Sequence, residues 1–70
     1  MKTEHITFTV ETAMDEPGLA MIREALTRLN GVVDVMVDAV LKRVAVEFDA
    51  ERMEQGTLRG TIEDAGYKVR

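Results

Sequence analysis

Two glycines, each placed where a helical pattern stops and a strand pattern starts, constrain this fold most. Gly31 follows an amphipathic helical pattern and precedes a run of valines, and Gly66 follows a second helical pattern and precedes Tyr67. Glycine readily adopts the left-handed conformation that ends helices, so each position marks a helix C-terminus. The 70-residue chain is therefore predicted to be one domain, residues 1–70, built from two similar halves.

Hydrophobic periodicity predicts the elements of each half. A period of 3.6 residues predicts helices from Pro17 to Asn30 and from Gln55 to Ala65, the first capped by Asp15 or Glu16. Alternation predicts the strands, and Val32 interrupts it, which indicates a bulge or a frayed start. The strands are predicted at 5–10, 32–38, 42–48 and 67–70.

The order of these elements is strand, helix, strand, strand, helix, strand. This order predicts an α+β fold of the ferredoxin-like βαββαβ type. Its four-stranded antiparallel sheet would carry both helices on one face. The other face is expected to be solvated, because its side chains are mostly polar.

Composition and charge narrow the class of partner. A net charge of −4 disfavours nucleic acid and anionic membrane surfaces, since both attract a basic face. No apolar run approaches the ~20 residues of a membrane span, so no membrane insertion is expected. Residues 1–4 lead directly into a strand, so we expect no signal peptide. The chain has no cysteine, which excludes disulfides and thiolate chemistry and agrees with a cytoplasmic location.

Three spaced patterns lie along the predicted helices and strands. The pattern I-x-x-A-L-x-x-L-x-G-V is met between Ile22 and Val32. The pattern V-x-V-x-[YF]-D is met at 44–49, and L-x-x-x-I-E-x-x-G-Y at 58–67. In these patterns the chain resembles the heavy-metal-associated (HMA) domain family, a small soft-metal carrier fold. The likeness extends over residues 6–69. Most matched positions are expected in the core, so the resemblance implies the fold and not the ligand.

The resemblance also implies a metal site whose ligands are missing here. HMA domains hold their metal with two cysteines in an M-x-C-x-x-C loop. Counting back from Gly31 without a gap, this motif falls on residues 13–18. Ala13 then stands at the methionine, and Asp15 and Gly18 stand at the two thiolates. We therefore expect neither a cofactor nor a tightly bound soft metal.

A shift of the alignment by one residue does not restore the site. It places Met14 at the methionine, but Glu16 and Leu19 at the thiolates. Met14, Asp15 and Glu16 are weak candidates for a hard or borderline ion, because carboxylate oxygens suit such ions better than copper(I). The favoured interpretation of Asp15 is a helix N-cap. His5, the only imidazole, starts the first strand ~16 Å from the loop and cannot join the site.

The remaining interpretation is contact with another protein. HMA-like carriers dock through the loop end, so the resemblance implies a contact surface there, with candidates Ala13, Met14, Asp15, Gly18 and Tyr67. An exposed methionine beside a tyrosine suits an interface anchor. Alternatively, Met14 folds back over the core and Tyr67 caps it. The acidic loop would attract a basic partner.

The sequence contains no catalytic set. We find no Ser/His/Asp combination and no phosphate-binding loop, so an enzyme is not expected. The leading hypothesis is a monomeric HMA-like domain that has lost its cysteine site and serves as a protein-interaction or regulatory module. The alternative is a weak metal-ion carrier that uses the acidic loop.

Overall fold

Two helices and three strands make up the fold that a computed structural model describes for residues 2–70. Along the chain they are β1 (Thr3–Thr9), α1 (Glu16–Thr27), β2 (Val32–Asp38), β3 (Arg43–Asp49) and α2 (Gln55–Asp64). Neither helix in this described range is long and apolar enough to cross a membrane.

The three strands form one antiparallel sheet with β3 in the centre, in the order β1-β3-β2. The β1–β3 register runs without interruption from Thr3 opposite Asp49 to Thr9 opposite Arg43. The β2–β3 register shifts between Val32 and Asp34. This irregularity confirms the prediction from Val32, and it leaves the Val33 side chain 50% exposed.

The prediction of a fourth strand at 67–70 is wrong for the described residues. Only one isolated bridge forms there, between Val10 and Val69. Two backbone hydrogen bonds flank it: Glu11 N–H donates to the Lys68 carbonyl at 2.8 Å, and Arg70 N–H donates to the Thr9 carbonyl at 2.9 Å. These two bonds complete a single residue pair, which is too short for a ladder. The segment nevertheless lies beside β1, where the ferredoxin-like order places a fourth strand.

The core lies between the sheet and the two helices. Leu26 of α1 and Ile62 of α2 are fully buried, as the helical stripes predicted. Gly31 and Gly66 both have positive φ, at 111° and 98°. Gly66 directly follows Ala65, the C-cap of α2, as predicted for a helix end. The predicted end of the first helix at Asn30 is wrong, because α1 ends at Thr27 with Arg28 as its C-cap and Gly31 lies in the turn before β2. The buried apolar residues are Phe8, Val10, Ile22, Leu26, Val35, Val44, Val46, Phe48, Met53, Leu58, Ile62 and Val69.

The open face of the sheet is less polar than the sequence suggested. Met36 on β2 is 69% exposed, and Val40 and Leu41 in the β2–β3 hairpin are 90% and 54% exposed. The hairpin is tightened by Asp38, whose Oδ1 accepts a hydrogen bond from Leu41 N–H at 3.0 Å. Lys42 completes the turn with φ at 55°.

Candidate functional site

Three connections meet at one end of the domain. The loop between β1 and α1 lies beside the segment after α2, since Lys68 N–H donates to Thr12 Oγ1 at 3.4 Å. The β2–β3 hairpin joins them, because Val10 N–H donates to the Lys42 carbonyl at 2.8 Å. The loop 13–18 predicted from the sequence therefore lies at this end, which we call the loop end.

Asp15 is the N-cap of α1. Its backbone is extended, with φ −99° and ψ 173°, and its Oδ1 accepts a hydrogen bond from Gly18 N–H at 2.8 Å. Its carbonyl accepts a second bond from Leu19 N–H at 2.9 Å. Pro17 in the first turn has no N–H to satisfy, and Glu16 places a negative charge at the positive end of the helix dipole. The structure thus confirms the predicted role of Asp15 as the helix N-cap.

Tyr67 covers Gly18, the residue that stands at the second thiolate position. Gly18 is buried, and a Cβ atom added to it would overlap the Tyr67 hydroxyl. The same Cβ would lie 3.0 Å from Tyr67 Cζ and 2.9 Å from Asp15 Oδ1. Tyr67 is itself half-buried and packs against the core. Tyr67 therefore occupies the space beside position 18, and the glycine at this position has no side chain to bind a metal ion.

Met14 is half-buried and packs against the core, rather than standing exposed in the loop. It lines a shallow depression of about 440 Å³. The depression is lined by Thr12, Ala13, Met14, Asp15, Ala65, Gly66 and Tyr67. It brings together four of the five predicted contact residues, and the fifth, Gly18, is buried beneath Tyr67.

The loop end is less acidic than its sequence suggests. Glu11 pairs with Lys68 Nζ at 3.6 Å and with Arg70 Nε at 3.9 Å. Such exposed pairs contribute little stability, but they partly neutralise the local charge. Glu16 is exposed and does not line the depression. His5 lies on the open sheet face near the other end of β1, where its Nε2 is 3.7 Å from Glu47 Oε2.

The donor atoms at the loop end do not fit a soft metal. One oxygen of Asp15 accepts the capping hydrogen bond, Gly18 offers no side-chain donor, and the Met14 thioether lacks a thiolate or imidazole beside it. Within residues 2–70, no group of three or more His, Cys, Asp or Glu side chains is arranged to hold a metal ion.

Asp49 is a buried polar residue that sequence reasoning treated only as part of a family pattern. The residue is 6% exposed, and its Oδ1 accepts hydrogen bonds from Glu51 N–H at 3.0 Å and Lys2 N–H at 3.2 Å. The Glu51 N–H is the main cause that lowers the pKa of the Asp49 carboxyl. An aspartate just before a turn is the signal that could have revealed this role. Asp49 fixes the end of the sheet opposite the loop end.

Comparison with known proteins establishes the family. The profile of the heavy-metal-associated domain matches residues 20–68. The copper chaperone CopZ of Staphylococcus haemolyticus (strain JCSC1435) is 37% identical over 49 residues, which are 70% of this chain and 72% of that protein. The chain belongs to the heavy-metal-associated (HMA) domain family. The profile match starts just after the loop 13–18, so the part of this HMA domain outside the match includes the metal-motif position.

Two further comparisons agree with this assignment. The probable copper-transporting ATPase HMA5 of Arabidopsis thaliana is 35% identical over 48 residues, which are 69% of this chain. The match spans only 5% of that protein's length, so it relates this HMA domain to one part of the ATPase. The solved structure of a CopZ metallochaperone superimposes with a TM-score of 0.92 over 96% of this chain and 100% of its own. Its sequence identity of 24% supports the shared fold alone.

Proposed function

We propose that this HMA domain is a protein-contact or regulatory module that works without metal, and that it binds its partner through the loop end. The observation that carries this proposal is the Tyr67 side chain lying over Gly18. In a metal carrier of this family, that position supplies a ligand. Here the residue at that position, Gly18, packs beneath Tyr67. This packing supports a loop end that contacts another protein and neither catalyses a reaction nor carries a metal ion.

A helix cap and side-chain packing hold the loop in place. The Asp15 cap fixes the start of α1, and Tyr67 packs against the core while covering the first turn. A surface that is already ordered loses less conformational entropy on binding than a flexible loop would. The structure thus supports docking that needs no metal to shape the surface.

The depression beside Tyr67 supplies suitable contact chemistry. Its lining combines the Tyr67 ring and the Met14 side chain with small residues, and both tyrosine and methionine are enriched in protein interfaces. Met14 is half-buried, so it contributes to the lining of the depression and does not project as an anchor. We therefore propose Tyr67 as the main contact, with Ala13, Met14 and Asp15 around it.

Charge steering by this surface is expected to be weak. Glu11 is paired with Lys68 and Arg70, and Asp15 accepts the capping bond, which leaves Glu16 as the exposed acid in the first turn. A basic partner is still the type that the net charge of −4 favours. Its binding should depend only modestly on salt.

The alternative function, a weak carrier of a hard or borderline ion, would need Met14, Asp15 and Glu16 to act together. No observed contact favours it. Asp15 Oδ1 is engaged at the helix N-terminus, Met14 packs against the core, and Glu16 lies outside the depression.

A pull-down in the presence of a copper chelator tests the proposal. We compare the wild type with Tyr67→Ala and Met14→Asp, and use Met36→Asp on the open sheet face as the matched control. The partner should be recovered with the wild type and the control, and at least tenfold less with Tyr67→Ala. Equal recovery with Tyr67→Ala, or recovery that requires copper, would contradict the proposal. Circular dichroism confirms that each variant is folded.

A further inference from the structure

The outer edge of β2 carries backbone groups with no partner. Asp49 N–H donates to the Gly31 carbonyl, so the odd-numbered residues of β3 direct their N–H and C=O groups towards β2. They lie opposite the even-numbered residues of β2 along the register from 34 to 38. The groups of Val35 and Val37 therefore point outward, and within the described part of the chain nothing hydrogen-bonds to them.

This edge is remote from both ends of the described chain. The Lys2 carbonyl accepts a hydrogen bond from Ala50 N–H, and Arg70 N–H donates to the Thr9 carbonyl, so residues 2 and 70 both lie on the β1 side of β3. β2 lies on the other side of β3. The pairings that these two ends make therefore lead neither of them along the edge of β2.

The open-face side of this edge is acidic. Asp34 lies directly opposite Glu47 in the register, and like charges at opposite positions repel each other. His5 Nε2 is 3.7 Å from Glu47 Oε2, but it lies on β1, across the sheet from the edge. Asp38 is a second exposed carboxylate, four residues and ~14 Å along β2, with Arg43 opposite it. Asp34 is therefore the acid at this edge that a cation from outside would stabilise most.

The helix-facing side of the same edge is apolar. Val35 is buried and Val37 is half-buried against the core. The register shift between Val32 and Asp34 interrupts the ladder, so the regular edge is confined to residues 34–38. Successive side chains of a strand point to opposite faces of the sheet. A strand added here would therefore match the edge if apolar side chains faced the helices and basic side chains faced the acids.

Charge argues against a second copy of this chain as the added strand. A copy paired through its own β2 would bring a second Asp34 and a second Asp38 to the same edge, and each chain has a net charge of −4. Charged side chains on an edge strand oppose pairing of that kind. A basic segment meets no such repulsion, and its lysines or arginines would offset the Asp34–Glu47 repulsion.

We propose that the outer edge of β2 binds, by strand addition, an extended segment of another protein in which basic and apolar residues alternate. Main-chain pairing with Val35 and Val37 supplies the affinity, and contact with Asp34 and Asp38 selects basic over acidic sequences. This surface is separate from the depression at Tyr67, so the inference stands independently of the proposed function.

The test is an NMR titration of the ¹⁵N-labelled protein with the N-acetylated, C-amidated peptide Val-Lys-Val-Thr-Val-Lys-Val. Its lysines share one face of a strand and are four residues apart, as Asp34 and Asp38 are. We expect shifts and at least tenfold slower hydrogen exchange at the Val35 and Val37 amides. The peptide Val-Glu-Val-Thr-Val-Glu-Val should bind at least tenfold more weakly. A peptide of the original composition with adjacent lysines, Val-Val-Lys-Lys-Thr-Val-Val, should bind at least threefold more weakly, because its lysines point to opposite faces.

Variants of the protein separate the charge contribution from the backbone contribution. Asp34→Asn should weaken binding of the basic peptide at least threefold, whereas the matched control Asp64→Asn, at an exposed aspartate of α2, should bind like the wild type. Val37→Pro removes an outward N–H and is compatible with an edge strand, whereas Val37→Thr retains that N–H. The basic peptide should bind Val37→Thr like the wild type and Val37→Pro at least tenfold more weakly.

Unchanged amide shifts in β1 would show that each variant is folded, and the Asp34→Asn comparison decides the inference by itself if Val37→Pro does not fold. Three results would overturn the inference: equal binding of the basic and acidic peptides, equal binding to the wild type and Asp34→Asn, or shifts confined to residues outside β2. Concentration-dependent protection of the Val35 and Val37 amides, with no peptide binding, would assign the edge to a second copy of the chain instead.

Discussion

Gly18→Ala is expected to destabilise the protein through contact with Tyr67. The added Cβ overlaps the Tyr67 hydroxyl, so the half-buried ring must move and lose part of its packing. Overpacking of this kind costs ~1–3 kcal/mol, and replacing a helical glycine by alanine gains up to ~1 kcal/mol. The net loss in free energy of unfolding should therefore be about 1 kcal/mol.

The same substitution should cost less when Tyr67 is already alanine. Without the ring, the overlap with the hydroxyl disappears, and the gain of up to ~1 kcal/mol is opposed only by the close approach to Asp15 Oδ1. The double-mutant cycle thus predicts a coupling of about 2 kcal/mol between the two positions. The close approach to Asp15 Oδ1 at 2.9 Å is present in both backgrounds and cancels in the cycle.

Urea unfolding of the four proteins, followed by circular dichroism, measures this coupling. Gly60→Ala is the matched control, because an added Cβ at Gly60 in α2 meets nothing within 4 Å. It should stabilise the protein by ~0.5–1 kcal/mol whether or not Tyr67 is present. A coupling below ~0.5 kcal/mol between Gly18 and Tyr67 would mean that the two positions affect stability independently. This result would refute the packing argument.

Three other predictions follow from the core, the buried acid and the loop. Leu26→Ala, at a fully buried site, should lower the free energy of unfolding by ~2–4 kcal/mol, whereas Met21→Ala, at a side chain 51% exposed, should change it by less than ~0.5. The pKa of Asp49 is lowered in the folded state from 3.8, so its contribution to the free energy of unfolding is complete above the unfolded pKa and is lost as pH falls through the lower folded pKa. Urea midpoints measured across this pH range should fall in the wild type and fall less in Asp49→Asn. In a dye competition, Asp15→Cys with Gly18→Cys should bind copper(I) at least tenfold more tightly when Tyr67→Ala is added, and equal affinity would show that Tyr67 does not obstruct the site.

Local patterns were sufficient to predict the elements whose cause is local. The stripes containing Leu26 and Ile62, and the positive φ of Gly31 and Gly66, all follow from side chains or backbone preferences within a few residues. The bulge near Val32 was likewise visible as an interrupted alternation. The two ladders that join the three long strands could not be distinguished from the single bridge at 67–70 in this way. The segment 67–70 has strand-like residues, but its pairing with β1 is limited to one bridge.

The sequence identified residues of the loop end but did not predict how they are arranged. Asp15 and Glu16 both satisfied the capping pattern, and only the extended backbone of Asp15 distinguishes them. The loop has no periodicity, so the half-buried state of Met14 could not be read from its neighbours. The contact of Tyr67 with Gly18 joins two residues far apart in sequence, and no local signal reports it.

A copper(I) titration of the ¹⁵N-labelled wild-type protein, run anaerobically against a chelating dye, tests the central claim most directly. The claim is that the loop end of this HMA domain is closed to soft metal by its cap and by Tyr67. We predict no binding tighter than ~1 μM, which corresponds to about 8 kcal/mol, and no shifts at the amides of Met14, Asp15 and Tyr67. Binding tighter than this, with shifts at these amides that Met14→Ala or Asp15→Ala abolishes, would contradict the account.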